Sequence, residues 1–406
     1  MTPAEGLVRA GDLARSWRAR AAEYDRTGSF PDADMDELRR SGLLALLVPA
    51  RLGGMGAGFE HYTTVAMALA RGSGASALLF NMHASVTGAL ASVPEDLARA
   101  LGAEESFFTH RDQILADAVA GCMYGVAISE RGAGSRLSAL QSTYKPEDGG
   151  YRLRGHKSTC SGAGHLDAYL VAARDAEDAD AVAPRISYFL VPADAIGEVH
   201  DTWDALGMRA TASNGFDLDA WVPATALVGV EGVALVLAYA MPEWLVASYA
   251  AVYVGVAQAA VAAAVDYIRA AEVRAPAGAE ASHQVSMASS PWVRQRIGRA
   301  DAQTEAARLV LEEAGRQVDE RPGDPVTAHA VYRAKLLAGD AAFAVAASLA
   351  EACGLGAVMR GSELERLLRD ARSGAMMPPA SDVAANVLGA AALGVDPGTG
   401  FGTRPW

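Results

Sequence analysis

A run of 22 residues, 244–265, carries no charged side chain. A helix of that length reaches across a bilayer, so the chain must either place this segment in a membrane or surround it with the rest of itself. Alanine dominates the run, Ser248 and Gln258 interrupt it, and no Lys or Arg cluster flanks it, all unlike a membrane span. A helix that is apolar on every side is also what the centre of a large helical bundle requires. The expectation is therefore a buried helix with no membrane partner. A chain of 406 residues is long enough to enclose it, since folds of this size hide roughly three-quarters of their unfolded surface.

The periodicity changes on the N-terminal side of this run. Up to about residue 118 apolar residues recur at helical spacing, over 4–24, 32–47, 60–70 and 76–91. Between 119 and 228 short apolar or alternating runs, at 124–128, 151–154, 168–173 and 187–191, are separated by Gly, Asp and Pro. Asp148-Gly149-Gly150 reads as a hairpin turn. After Pro223 the sequence is helical and Ala-rich again. Helical and strand segments are segregated rather than alternating, which defines an α+β fold. The expected division is an N-terminal helical domain over 1–118, a β domain over 119–228 and a C-terminal helical bundle over 229–406.

Several function classes fall away. The 35 basic residues against 48 acidic ones give a net charge of −13, and no basic stripe is available to neutralise phosphates, so a nucleic-acid partner is not expected. Cys122, Cys160 and Cys353 are too few and too far apart for a disulfide framework or a zinc motif, and the eight histidines are scattered. No metal site is expected. Glu5, Arg9 and Asp12 stand where a signal peptide needs an apolar run, and a cytoplasmic location follows as the expectation. No dinucleotide fingerprint is present: Gly132-Ala133-Gly134 lacks a third glycine, and the glycines at 53–58 follow no strand.

Local strings, in order, carry a more specific reading. LVPARLGGMGAG ends at Gly58; Ile128-Ser129-Glu130-Arg131-Gly132-Ala133-Gly134-Ser135 follows, then Gly155 to Gly162, then Leu206-Gly207-Met208-Arg209-Ala210-Thr211-Ala212-Ser213, and finally Leu368-Arg369-Asp370-Ala371. Their order resembles the acyl-CoA dehydrogenase superfamily of flavoproteins over nearly the whole chain. The resemblance implies FAD, with FMN as second choice, lying against the segments that carry Val126, Ile128, Ser129, Thr159 and Ser161. It implies that Arg274 and Gly354 contact the adenosine and pyrophosphate half, and that Ser135 and Met377 border the substrate. It also implies a homodimer or homotetramer, and electron exchange with an electron-transfer flavoprotein or a flavin reductase.

The base is where this chain departs from the pattern. Oxidation of an acyl thioester at its α,β carbons needs a carboxylate to take the α-proton while the flavin accepts hydride. Counting from Arg369-Asp370-Ala371 puts Pro378 in the position where most of the family has glutamate. A second branch of the family carries the base on the long helix, and Glu243 is the nearest carboxylate there. It lies two residues from the matching Leu245, about 200° around a helix. Two activities remain open: dehydrogenation of a CoA- or carrier-bound acyl group with Glu243 as base, and a monooxygenase of the same fold that uses reduced flavin and O2. For the second, His83 in Asn81-Met82-His83 is the candidate proton carrier, although a lone histidine on an apolar helix is ordinarily a core residue.

Overall fold

The computed structural model describes residues 1–178, 184–274 and 284–398, with only the backbone given for 239–240, 272–274 and 284–285. Six helices come first: α1 (Pro3–Thr27), α2 (Asp32–Ser41), α3 (Phe59–Ala70), α4 (Gly74–Ser92), α5 (Glu95–Ala100) and α6 (Glu105–Val119). Local chemistry fixes the ends of α1. The Thr2 hydroxyl accepts from the Glu5 amide, the Glu5 carboxylate accepts from the Thr2 amide, and Gly28 closes the helix at φ 68°. Its stripe of Gly6, Ala10, Ala14, Trp17 and Ala21 is buried. The single helix expected over 32–47 is cut short at Ser41, because Gly42 takes the left-handed conformation (φ 76°) as a C-cap. Leu43, Leu44, Leu46 and Leu47 then fold as tight turns and are all buried.

Among the described residues eight strands follow: β1 (Tyr124–Ala127), β2 (Thr143–Glu147), β3 (Gly150–Cys160), β4 (Ala168–Asp175), β5 (Ile186–Pro192), β6 (Val199–His200), β7 (Asn214–Pro223) and β8 (Leu227–Val228). They form one sheet in the order β6-β7-β3-β2-β4-β5-β8, with β1 paired parallel to β4. The predicted hairpin joins β2 and β3. Glu147 pairs with Gly150 across a two-residue turn in which Asp148 (φ 49°) and Gly149 (φ 77°) are both left-handed, the backbone that suits the twist of an antiparallel pair. β7 alternates strictly from Phe216 onward, with Phe216, Leu218, Ala220 and Val222 buried and Asp217, Asp219 and Trp221 exposed.

The C-terminal region contains α7 (Ala234–Ala240), α8 (Ala247–Ala270), the short pair β9 (Glu272–Arg274) and β10 (Gln284–Ser286), then α9 (Pro291–Glu320), α10 (Pro325–Cys353), α11 (Glu363–Arg372) and α12 (Ser381–Leu393). α8 holds the uncharged run. Among the described residues two helical segments, Pro242–Ala270 and α10, are long and apolar enough to cross a membrane, but 78% of the most apolar window of the first is buried inside the structure. Its small residues allow this. A Cβ on Gly255 would come within 2.6 Å of the Met67 carbonyl on α3, so the two helices meet backbone to backbone.

The join between the β domain and the bundle is equally close. The Met208 amide donates to the Asp370 carboxylate at 2.6 Å, and Arg369 grips Asp25 of α1 at 2.6 and 2.8 Å. A Cβ at Gly207 would lie 2.2 Å from the Arg369 carbonyl. Gly207→Ala is therefore expected to destabilise the chain by about 1–3 kcal/mol, the range for overpacking a close contact. A thermal midpoint equal to that of the parent would contradict this.

Candidate active site

A cavity of about 590 Å3 opens where the three regions meet. One wall comes from the end of β1 and the loop after it, with Val126, Ile128, Ser129, Ser135 and Arg136; beside it the end of β3 contributes Ser158, Thr159 and Ser161. α8 and the turn before it supply Leu245, Tyr249 and Tyr253, α4 supplies Leu78 and Met82, and the turn after α11 supplies Met376, Met377 and Pro378.

The loop keeps its shape through a buried ion pair. The Lys157 ammonium donates to Glu130 at 2.6 Å and to the Ala172 carbonyl at 2.6 Å, and both side chains are almost completely buried. Glu130 also accepts from the amides of Gln141 (2.5 Å) and Ser142 (3.1 Å). Burial pushes its pKa up, but the Lys157 charge and these bonds outweigh that and hold the carboxyl below its usual range. Glu130 and Gly134 exchange backbone hydrogen bonds at 2.8 and 2.9 Å, folding the glycine turn back over the cavity. Glu130 thus serves the loop and does not line the pocket.

A chain of hydroxyls orients Ser161. Its Oγ lies 2.9 Å from Ser213 Oγ, which lies 2.7 Å from Thr211 Oγ1. Thr211 donates to the Met208 carbonyl at 2.9 Å. With that proton committed, Ser213 donates to Thr211 and Ser161 donates to Ser213, so the Ser161 lone pairs are left for the cavity. Met208 (φ 53°) and Ala212 (φ 43°) are both left-handed. Backbone held this way costs about 1–3 kcal/mol per residue, and here it bends the chain so that Ser213 reaches Ser161.

The residues present suit a flavin. An isoalloxazine ring offers a row of polar edge atoms and two apolar faces, and the cavity has hydroxyls on the strand side facing apolar and aromatic side chains on α8. The Tyr253 hydroxyl is buried and has no partner among the described residues. A buried hydroxyl left this way costs about 1–3 kcal/mol, which a bound polar ligand would recover. Burial raises the pKa of Tyr253, as it does that of Tyr249, pushed up to about 12, so both phenols stay protonated donors. Neither tyrosine nor Trp203 was singled out by the sequence, and Ser213 and Arg136, which belong to or adjoin the family-like strings, were given no site role there. Tyr249 and Tyr253 stand four apart in a run otherwise rich in Ala and Val, a same-face spacing that marks them in retrospect.

Val126, Ile128, Ser129, Ser135, Thr159, Ser161 and Met377 all line this cavity. The other candidates lie elsewhere. His83 is buried behind the wall, with Nε2 2.8 Å from the Leu44 carbonyl and Nδ1 accepting from the Tyr124 amide at 3.3 Å. Burial lowers its pKa to about 4, so it is a neutral tie between α4 and β1, and both ring nitrogens are occupied. Glu243 faces a separate cavity of about 540 Å3, with Trp244, Phe59 and Asp319. Gly354 caps α10, its amide donating to the Ala350 carbonyl at 3.0 Å, outside the cavity lining. The Arg274 side chain lies outside the described residues; its backbone pairs with Gln284.

The sequence matches three family descriptions in succession: acyl-CoA dehydrogenase N-terminal domain over 12–100, middle domain over 125–220 and C-terminal domain over 247–377. It is 30% identical to dibenzothiophene monooxygenase of Rhodococcus qingshengii over 92% of this chain and 90% of that one. It is 28% identical to a putative acyl-CoA dehydrogenase, YdbM, of Bacillus subtilis strain 168 over 95% of this chain and 96% of that one. FMN-bound TdsC from Paenibacillus sp. A11-2 has a similar fold, with a TM-score of 0.81 at 27% identity over 96% of this chain and 97% of that one. With its three domains matched in order and relatives along almost its full length, the chain belongs to the acyl-CoA dehydrogenase superfamily of flavin-dependent enzymes.

Proposed function

We propose that the chain is a flavin-dependent monooxygenase that takes reduced FMN from a separate reductase and oxygenates an apolar small molecule. The observation that carries this is the chemistry of the cavity wall: among the described residues lining it there is no Asp, Glu, His or Lys. The acyl-thioester reaction set out above needs a base beside the α-carbon. Pro378 lines the cavity at the expected place and cannot take a proton, and the Glu243 carboxyl opens on another cavity.

Three further features support the reading. The hydroxyl chain leaves Ser161 as an acceptor, which matches the N–H that a reduced flavin carries at its reactive nitrogen. Arg136 is the one cation among the described lining residues and, with Ser135, suits the FMN phosphate. FMN rather than FAD is proposed because the similar structure TdsC carries FMN. Bound flavin would supply two electrons to O2; the protein's part is to hold it, keep water out with Leu245, Met82 and the α8 tyrosines, and offer hydrogen bonds from the Tyr249 and Tyr253 phenols.

The substrate class comes from a smaller annex of about 110 Å3 that shares Val126 and Leu245 with the main cavity. Its wall is almost entirely apolar, from Val86, Leu90, Phe107, Leu170, Leu237 and Met241 among others. The exceptions are Ser85, whose Oγ lies 3.5 Å from Ser248 Oγ, and Tyr188, whose hydroxyl is buried with no partner among the described residues. An apolar molecule with one hydrogen-bond acceptor, such as a sulfur or nitrogen heteroaromatic, fits that lining.

The balanced reaction places one atom of O2 on the substrate and releases the other as water, with two electrons from the reduced flavin. Given an FMN reductase, NADH and 18O2, the protein is expected to place one 18O atom on a heteroaromatic such as dibenzothiophene. Rapid anaerobic bleaching of bound oxidised flavin by an acyl-CoA, without 18O incorporation into any of these compounds, would overturn the proposal in favour of the dehydrogenase.

A further inference from the structure

The outer face of the sheet brings together three side chains far apart in sequence. Strand pairing places His156 of β3 opposite Asp217 of β7, and His200 of β6 opposite Gly215 of β7. Residues 215 and 217 share a face because side chains alternate along a strand, so His156, His200 and Asp217 point the same way, on the solvent side of the sheet. His156 Nδ1 lies 3.0 Å from Asp217 Oδ1, and His200 Nε2 lies 3.1 Å from the same oxygen. One ligand atom from each residue falls within 4.8 Å of the other two.

We propose that these three residues form a binding site for a divalent transition-metal ion, with zinc the first choice. Two imidazole nitrogens and one carboxylate are a borderline donor set, suited to zinc and its neighbours and unlike the all-oxygen sets of calcium or magnesium. Zinc sits about 2.0–2.2 Å from such ligands, so two tetrahedral ligand atoms are roughly 3.3 Å apart. The two nitrogen–oxygen distances, 3.0 and 3.1 Å, lie within a few tenths of an ångström of that, and the two nitrogens are within 4.8 Å of each other. Water completes the coordination, since all three side chains reach solvent. No large movement is needed: each ring presents a nitrogen to Asp217 already, and a neutral imidazole has only to carry its proton on the other nitrogen.

The ion would act on a particular stretch of chain. β6 is two residues long, and the segment after it leads to Trp203, which lines the large cavity. The Thr202 and Trp203 amides both donate to Asn214 Oδ1 of β7, at 3.0 and 2.9 Å. A metal joining His200 to β3 and β7 would fasten the other end of this segment. The site stands apart from the flavin chemistry and does not depend on which reaction the enzyme performs. The expectation from sequence that the chain has no metal site is revised accordingly: the histidines are scattered along the chain, but sheet register reunites two of them with a carboxylate.

The test uses untagged, metal-stripped full-length protein titrated with zinc chloride by calorimetry. One equivalent is expected to bind, and His156→Ala, His200→Ala and Asp217→Asn should each weaken that event about 10-fold or more. Zinc should raise the thermal midpoint of the parent but not of the His156→Ala/His200→Ala double variant, and calcium should do neither. All three positions are at least partly exposed, so the metal-free variants are expected to melt with the parent. Zinc binding of equal strength in the parent and the double variant, or none at sub-millimolar zinc, would overturn the proposal and leave an ion-paired surface cluster.

Discussion

Lys157→Met is expected to destabilise the protein by about 3–5 kcal/mol, the cost of stranding a buried charge. The ammonium is the only full positive charge that touches Glu130 among the described contacts, and it also satisfies the Ala172 carbonyl. Methionine fills similar space but leaves the carboxylate with amide donors alone. Because Glu130 closes the 130–134 turn, the second consequence is loss of shape where Ser129, Gly134 and Ser135 border the cavity, and flavin affinity should fall with stability. The double variant Glu130→Gln/Lys157→Met should recover much of the stability, since a neutral amide can still accept from Gln141 and Ser142. Chemical denaturation and flavin titration of the three proteins check this. A single variant within about 0.5 kcal/mol of the parent, the usual span for exposed substitutions, would show that the pair carries little.

Such a pair is hard to see in a sequence. Lys157 and Glu130 are 27 residues apart, and each lies in a string whose resemblance to the family drew attention to its neighbours instead. What was legible was whatever local chemistry decides. The Asp148-Gly149 turn specifies its hairpin because both residues tolerate positive φ. The uncharged run specifies a buried helix because it has no charged face to turn to water. The strings around Ser129 and Ser161 sit on strand ends, where one or two residues decide what borders the cavity, and those residues did come together there.

Direction around a helix, and the identity of a helix's neighbours, were less legible. His83 lies one residue beyond Met82, which lines the cavity, yet its ring turns to Leu44 and Tyr124. The expected helix over 32–47 failed at Gly42, where a left-handed cap competes with an apolar pattern that continues past it. Thr211 and Ser213 were visible in the string after Leu206, but their role depends on two left-handed residues, Met208 and Ala212, that no pattern of side chains announces. The meeting of His156, His200 and Asp217 depends on register between three strands, which a spacing motif cannot express.

Glu243→Gln is expected to stabilise the protein at pH 8 by up to about 3 kcal/mol and to change little at pH 5 or below. Burial raises the Glu243 pKa to about 7 from an ordinary value of 4.5, and one carboxylate oxygen has no partner among the described residues. The folded state therefore binds this proton more tightly than the unfolded state does. Stability linked to it is complete below pH 4.5, declines as pH rises, and is lost through pH 7, with 1.36 kcal/mol for each pH unit separating the two pKa values. Glutamine keeps the shape and removes the titration, so the difference between variant and parent should grow across that window and then level off. The same variant separates the two chemistries proposed for this chain. If the carboxyl serves only its own cavity, oxygenation proceeds at the parent's rate while the pH dependence of melting flattens. If Glu243 is a base for acyl-thioester oxidation, flavin bleaching by an acyl-CoA disappears in the variant. Parallel melting curves from pH 5 to 8 would instead mean that the carboxyl is hydrated or paired, and that its burial does not govern its charge.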